Sequence, residues 1–204
     1  MIKLIIFDLD DTLYKENSYV KSGFSEVSKY ISKKTKIPQK KIFTYIRGTF
    51  KRWWRGNNFD KVIEHFNIKN ISKEEMIEIY RKHIPKIKIS DKNIKLLKLL
   101  KKKYLLCIIT NGNPWVQRNK TNALDVEKYV DKIYYAEDEW FNYRKPHKRF
   151  FQKAMKEFWT KPKETIMIGD DITTDIAGAK SIGIETLHIN IKTIASEIRR
   201  KIIQ

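Results

Sequence analysis

Hydrophobic and polar positions follow two different rhythms along this chain. Residues 3–7 form an apolar run of strand length that ends on acidic and small residues, the pattern of a buried strand. From Ser18 the spacing lengthens. Val20, Phe24, Val27 and Ile31 recur every three or four residues, which predicts an amphipathic helix. Pro38 suits the first turn of a second helix running through Ile42, Tyr45 and Ile46. Residues 59–66 and 72–84 read as two more, the last opened by Ser72 with Glu75 three residues on, a capping box. Pro85 and the polar stretch up to Asp91 end this helical run.

Beyond Asp91, helices and strands alternate. Helices are predicted over 93–103, 114–124, 147–158, 174–181 and 192–202, with strands over 104–110, 132–136, 165–168 and 185–189. Ile94, Leu97 and Leu100 or Lys101 mark the faces of the first of these helices. Such alternation predicts an α/β fold: a Rossmann-like, three-layer core with a parallel sheet covered by helices on both faces. The all-helical stretch interrupts this rhythm after the first strand. It is therefore read as an insertion, with residues 1–13 and 91–204 forming the core and 14–90 a helical cap domain.

Composition narrows the class further. With 204 residues, 41% of them hydrophobic, and 10 Tyr, 10 Phe and 5 Trp, the chain can pack a core, and wholesale disorder is excluded. Its single cysteine, Cys107, excludes an internal disulfide framework and sits in an apolar run where it reads as a small buried hydrophobe. The first apolar stretch is too short for a signal peptide, and no later run reaches transmembrane length. A soluble, cytoplasmic protein without membrane association is expected.

Charge is the unusual quantity: 43 Lys and Arg against 24 Asp and Glu, a formal +19. Ile, Lys and Asn are abundant throughout, so most of the lysines read as solvated surface. The excess is uneven, however. Residues 14–90 carry 19 basic and 7 acidic residues, the remainder 24 and 17. That bias directs attention to an anionic ligand near the helical segment.

Ligands of an open parallel sheet gather beyond the carboxyl ends of its strands. The first strand ends in Asp8-Leu9-Asp10-Asp11-Thr12, and residues two apart in an extended chain share a face, so Asp8 and Asp10 can address one site. The next ends in Thr110-Asn111-Gly112, a hydroxyl, an amide and a glycine that admits a ligand close to the backbone. Arg144-Lys145-Pro146 places a cation before a helix, and Gly169-Asp170-Asp171 is followed by Asp175. These pieces are complementary. A phosphate ester repels a carboxylate nucleophile unless cations neutralise both, and magnesium, hard and oxygen-seeking, does so with one or two carboxylates. Asp8 and Asp170 can supply them, while Lys145 and the Thr110 hydroxyl orient the phosphate oxygens.

In these four motifs and their order the chain resembles the haloacid dehalogenase (HAD) superfamily, over residues 1–13 and about 91–190. The resemblance implies that Asp8 attacks phosphorus and forms an aspartyl-phosphate, and that Asp10 protonates the leaving oxygen and later activates water. It implies magnesium as cofactor, held by Asp8, the backbone carbonyl of Asp10 and Asp170. Phosphate would be bound by Thr110, the backbone around Asn111, and Lys145. Asp175 would stand behind these, fixing Lys145 or a metal-bound water, with Asp171 able to exchange roles with it. Dehalogenases and phosphonatases of the superfamily lack an acid/base Asp at the position of Asp10. Asp10 therefore points to a phosphatase or to a phosphomutase such as β-phosphoglucomutase, with hydrolysis taken first.

A cap would limit substrates to small phosphomonoesters such as sugar, polyol or similar metabolite phosphates. Specificity is expected from the stretch Tyr45–Phe59, whose Arg47, Lys51, Arg52 and Arg55 can bind a second anionic group and whose Trp53 or Trp54 can stack on a ring. Basic residues interleaved with aromatics also suit nucleic acid, so a nucleotide or nucleic-acid 3′-phosphatase is the alternative. No nucleic-acid-binding motif accompanies the stretch, and specific nucleic-acid binding is not expected. Nothing in the sequence fixes an oligomeric state.

Overall fold

The computed structural model describes residues 1–53, 57–136 and 143–203, with the backbone alone at Trp53 and Ile203. Strand β1 (Leu4–Phe7) consists of four apolar residues in a row, all fully buried. An uninterrupted apolar run is what a central strand with both faces covered requires. β1 lies in the middle of a five-stranded parallel sheet, between β2 (Leu105–Thr110) and β4 (Thr165–Gly169). β3 (Lys132–Tyr135) and β5 (Glu185–His188) form the edges, giving the order β3-β2-β1-β4-β5. The register pairs Phe7 with Ile108 on one side and with Ile168 on the other. Thus β1, β2 and β4 reach the carboxyl edge of the sheet together.

Leu4, Ile6, Cys107, Ile109 and Met167 pack on one sheet face with Phe150, Phe151, Ala154 and Met155 of α7 (Arg149–Glu157) and Ala179 of α8 (Ala177–Lys180). The alternate residues Ile5, Phe7, Leu106 and Ile108 are also fully buried, so neither face meets water. Chain connections leave β1 toward β2 and β3 on one side and serve β4 and β5 on the other. The strand order therefore reverses at β1, and such a reversal opens a crevice at the carboxyl edge.

The chain divides into two compact units, Met1–Glu16 with Ile87–Gln204, and Asn17–Lys86. The expected boundaries, 13/14 and 90/91, are displaced by a few residues for identifiable reasons. Tyr14 hydrogen-bonds Asp10, and the Glu16 N–H donates to Asp11, so both belong with β1. Ile87 and Ile89 are buried, and Ser90 caps α5 (Asp91–Leu100).

The second unit comprises α1 (Glu16–Thr35) from Asn17 on, α2 (Gln39–Trp53), α3 (Asn58–Phe66) and α4 (Lys73–Lys82). Val20, Phe24, Val27 and Ile31, the periodic residues of α1, are all buried in its core with Ile42, Ile46, Val62 and Met76. Ser72 and Glu75 exchange both hydrogen bonds of the capping box at the start of α4.

Several expectations shift. Of the residues expected to mark the faces of α5, Leu97 and Leu100 are buried, and Asn93 and Leu96 join them in place of Ile94; the Asn93 amide donates to the Leu13 carbonyl. The helix expected over 174–181 begins as a π-helical turn, Ile172–Ile176, and becomes α-helical only at Ala177. The final helix is α-helical over Ile194–Ile198 and π-helical over Arg199–Ile203. No helix among the described residues is long and apolar enough to cross a membrane.

Candidate active site

The site is assembled where β1, β2 and β4 end. The Asp8 N–H donates to the Ile168 carbonyl, 2.9 Å away, extending the β1–β4 ladder by one residue and fixing where the Asp8 carboxylate begins. Asp8 is 7% exposed. Its Oδ1 meets the Lys145 ammonium at 2.5 Å, and Lys145 also reaches Asp175 Oδ1 at 2.7 Å. Lys145 and Asp175 are each 1% exposed, so this is an ion triad removed from water. A buried charge is tolerated only when paired and hydrogen-bonded.

The backbone around Lys145 is held to match. The Asn111 side chain accepts from the Lys145 N–H at 2.8 Å and donates to the Lys145 carbonyl at 2.9 Å. Asn111, expected among the phosphate binders, thus uses its side chain to clamp Lys145. Two glycines permit the close packing. A Cβ on Gly169 would lie 2.2 Å from Asp175 Oδ2, and one on Gly178 would lie 2.8 Å from the Pro146 carbonyl oxygen.

Asp170 follows Gly169 at the end of β4. Its Oδ1 accepts from the Thr12 hydroxyl at 3.3 Å, and its backbone carbonyl faces His188 Nε2 at 2.9 Å. Asp8, Asp170 and Asp175 each offer an oxygen within 4.8 Å of the others. Asp175, not the Asp10 side chain, is therefore the third carboxylate of this cluster. Asp171 turns away from it: its Oδ1 accepts from Thr173 and Thr174 N–H groups and from the Thr173 hydroxyl, capping the following turn. Its own N–H donates to Asp175 Oδ2 at 3.2 Å. Asp175, not Asp171, reaches Lys145.

Electrostatics follow from this crowding. Burial, opposed by Lys145 but reinforced by the Asp175 and Asp10 carboxylates, pushes the Asp8 carboxyl up to about 8. Burial, with Asp175 and Asp11, pushes Asp170 up to about 6. Burial acts against the Lys145 ammonium, but Asp8 and Asp175 outweigh it and hold its affinity for the proton above the ordinary lysine value. One ammonium thus faces two carboxylates, with a third nearby. Hard oxygen donors carrying surplus negative charge fit a divalent cation such as magnesium.

Asp10 stands apart. Its oxygens accept from Lys120 Nζ at 2.8 and 2.9 Å, from Gln117 Nε2 at 2.9 Å, and from the Tyr14 hydroxyl. Burial raises its proton affinity, but Lys120 above all, with Tyr14 and Gln117, brings it below the ordinary carboxylate value. Gln117 also donates to the Thr110 hydroxyl at the end of β2, at 2.5 Å. Thr110 is 1% exposed.

Gln117 and Lys120 lie one turn apart on α6 (Pro114–Leu124), which Asn113 caps by accepting from the Val116 N–H. Neither belongs to the motifs at the strand ends. A signal was present: the buried stripe of α6 is Gln117, Lys120, Thr121 and Leu124, while its large apolar residue, Trp115, is 58% exposed. Polar residues on the face that should be apolar mark a helix serving a site.

The expected specificity residues belong to the second unit. Arg47 places its guanidinium over the Phe43 ring, 5.6 Å from the centroid, and Lys51 and Arg52 are exposed. Trp53 ends α2, and Trp54 and Arg55 lie outside the described residues.

A parallel sheet with aspartates at the ends of its first and fourth strands, a buried lysine between them and a helical insertion after the first strand defines a class. Residues 5–189 match the haloacid dehalogenase-like hydrolase family, and the chain belongs to it. It is a phosphoric monoester hydrolase of that family. A glyceraldehyde 3-phosphate phosphatase of Methanocaldococcus jannaschii is 30% identical, over 93% of this chain and 85% of that protein. Another, of Pyrococcus furiosus, is 29% identical over 91% of this chain and 80% of that one. Among solved structures, the putative HAD-hydrolase YfnB of Bacillus subtilis, bound to magnesium, superposes with a TM-score of 0.62 at 18% identity, covering 92% of this chain and 86% of that one.

Proposed function

We propose that this protein is a magnesium-dependent phosphatase acting on a small phosphomonoester through an aspartyl-phosphate on Asp8. The observation that carries the reading is the buried meeting of Asp8 with Lys145 and Asp175, beside Asp170, at the carboxyl edge of the sheet. Magnesium held by Asp8 and Asp170, with the Asp10 carbonyl as the family resemblance implies, would supply charge neutralisation for phosphate and nucleophile.

The chain's own residues would do the rest. An Asp8 carboxylate oxygen bonds to phosphorus while the ester oxygen departs and takes a proton from Asp10, which Lys120, Tyr14 and Gln117 hold ionised in the free protein and which must therefore gain that proton as substrate binds. Water then attacks the phosphorus, giving its proton to Asp10, and inorganic phosphate leaves with Asp8 regenerated. Lys145 and Thr110 orient the non-bridging oxygens, and Asp175 and Asn111 keep Lys145 in place.

The helical unit Asn17–Lys86 is proposed as the cap, with specificity drawn from Arg47, Arg52 and the tryptophans that follow. The relatives named above direct the choice of substrate toward glyceraldehyde 3-phosphate and other short sugar or polyol phosphates. Purified protein assayed against such a panel, with p-nitrophenyl phosphate and nucleotides included, tests the proposal. Magnesium-dependent release of phosphate from one of the small esters is expected. Turnover that survives chelation of divalent cations, or preference for nucleic-acid 3′-phosphates, would contradict it.

A further inference from the structure

The Asp10 carboxylate is held more tightly than a proton carrier needs merely to be present. Lys120 Nζ bonds both of its oxygens, and the lysine side chain is only 4% exposed. A lysine loses side-chain freedom and hydration on burial, so its position has to be compensated by its contacts. The Gln117 amide spans the 2.9 Å to Asp10 Oδ2 and the 2.5 Å to Thr110 Oγ1 with one nitrogen. Gln117 is 1% exposed. One helix face therefore grips two groups that come from different strands, Asp10 from the end of β1 and Thr110 from the end of β2.

We infer that Gln117 and Lys120 are positioning residues that set the Asp10 carboxylate in register with the phosphate held at Thr110. The inference rests on the proposed roles of Asp10 and Thr110 and adds two residues that those roles require. A proton donor must stand within hydrogen-bond reach of the leaving oxygen, and errors of about an ångström cost orders of magnitude. With Lys120 removed, Asp10 would keep Tyr14 and one amide bond but lose the two-point grip that fixes its plane. With Gln117 removed, Thr110 would lose the donor that fixes its lone pairs, and phosphate binding would suffer along with Asp10.

Leaving-group dependence tests this. Nitrophenolate departs readily without a proton, whereas a sugar or polyol alkoxide does not. The measurement is the ratio of kcat on p-nitrophenyl phosphate to kcat on the best alkyl phosphomonoester, taken in a single enzyme preparation so that any inactive fraction cancels. Asp10→Asn serves as the reference and should raise this ratio. Lys120→Met should raise it by about tenfold or more with little change in KM. Gln117→Leu, which removes no charge, should raise the ratio and KM together, and inorganic phosphate should inhibit it more weakly.

Three results are decisive. If Asp10→Asn raises the ratio but neither Lys120→Met nor Gln117→Leu does, the positioning role is overturned while the function of Asp10 stands. If Asp10→Asn leaves the ratio unchanged, the acid/base assignment fails and the inference fails with it. If Lys120→Met proves insoluble, Gln117→Leu decides alone, and an unchanged ratio and KM in that variant overturn the inference.

Discussion

At the scale of single residues, the site depends on how little space surrounds its charges. Gly169 stands where any side chain would meet Asp175, at 2.2 Å for a Cβ. Gly169→Ala should therefore displace Asp175 and loosen Lys145, with a stability loss of about 1–3 kcal/mol. Turnover should fall more steeply than the melting temperature, as measured by thermal unfolding and steady-state kinetics on one sample; a variant with wild-type turnover would mean that Asp175 does not hold Lys145 in place.

The raised carboxyls have a consequence for metal binding. An acid whose pKa is higher in the folded chain than in the unfolded one favours folding while protonated, and that advantage is lost as pH rises through the folded value. For Asp8 the window runs from its ordinary value of 3.8 up to about 8, and for Asp170 from 3.8 to about 6. A divalent cation competes with those protons. The rise in melting temperature on adding magnesium should therefore be larger at pH 8 than at pH 5.5, and equal shifts at both would contradict the proposed ligands.

At the scale of elements, much of the arrangement was legible in the sequence. The five strands lie within a residue or two of their expected ranges; β1, β2 and β4 are the short, largely apolar runs that buried central strands require, while the edge strands β3 and β5 are more polar and were placed by the alternation with helices. The positions of Asp8, Thr110 and Asp170 at strand ends followed from that pattern. What the pattern left unread came from contacts distant in sequence. Asn93 is buried through a bond to Leu13, 80 residues away, and Lys120 through Asp10, 110 residues away. A local period can mark a polar residue on a buried helix face, as on α6, but it does not name the distant partner in either case. The backbone around Asn111 is expected at the phosphate, and its side-chain amide has a further contact that no local pattern announces, with Lys145, 34 residues on.

The capping box is the opposite case, local in both cause and effect. Ser72→Ala removes the side-chain acceptor of the Glu75 N–H. It should cost about 1 kcal/mol. Denaturant unfolding checks the value; no loss would mean that solvent replaces the cap without penalty.

At the scale of the whole molecule, two units and a formal charge of +19 have to be reconciled with one activity. Most of the charge belongs to exposed lysines, which attract polyanions without discriminating among them. Single-stranded oligonucleotides should therefore bind weakly and without sequence preference, and binding should collapse between about 50 and 200 mM salt. Tight, sequence-selective binding that persists at the higher salt would return the nucleic-acid phosphatase reading to first place.

The central claim is that Asp8 is the residue that bonds to phosphorus. It is tested most directly by mixing the enzyme with magnesium and a labelled phosphomonoester, quenching in acid after a few milliseconds, and mapping the labelled peptide by mass spectrometry. A hydroxylamine-labile phosphoryl group on Asp8 is expected, absent without magnesium and absent from Asp8→Asn. Label on any other residue, or phosphate release by Asp8→Asn at the wild-type rate, would contradict it.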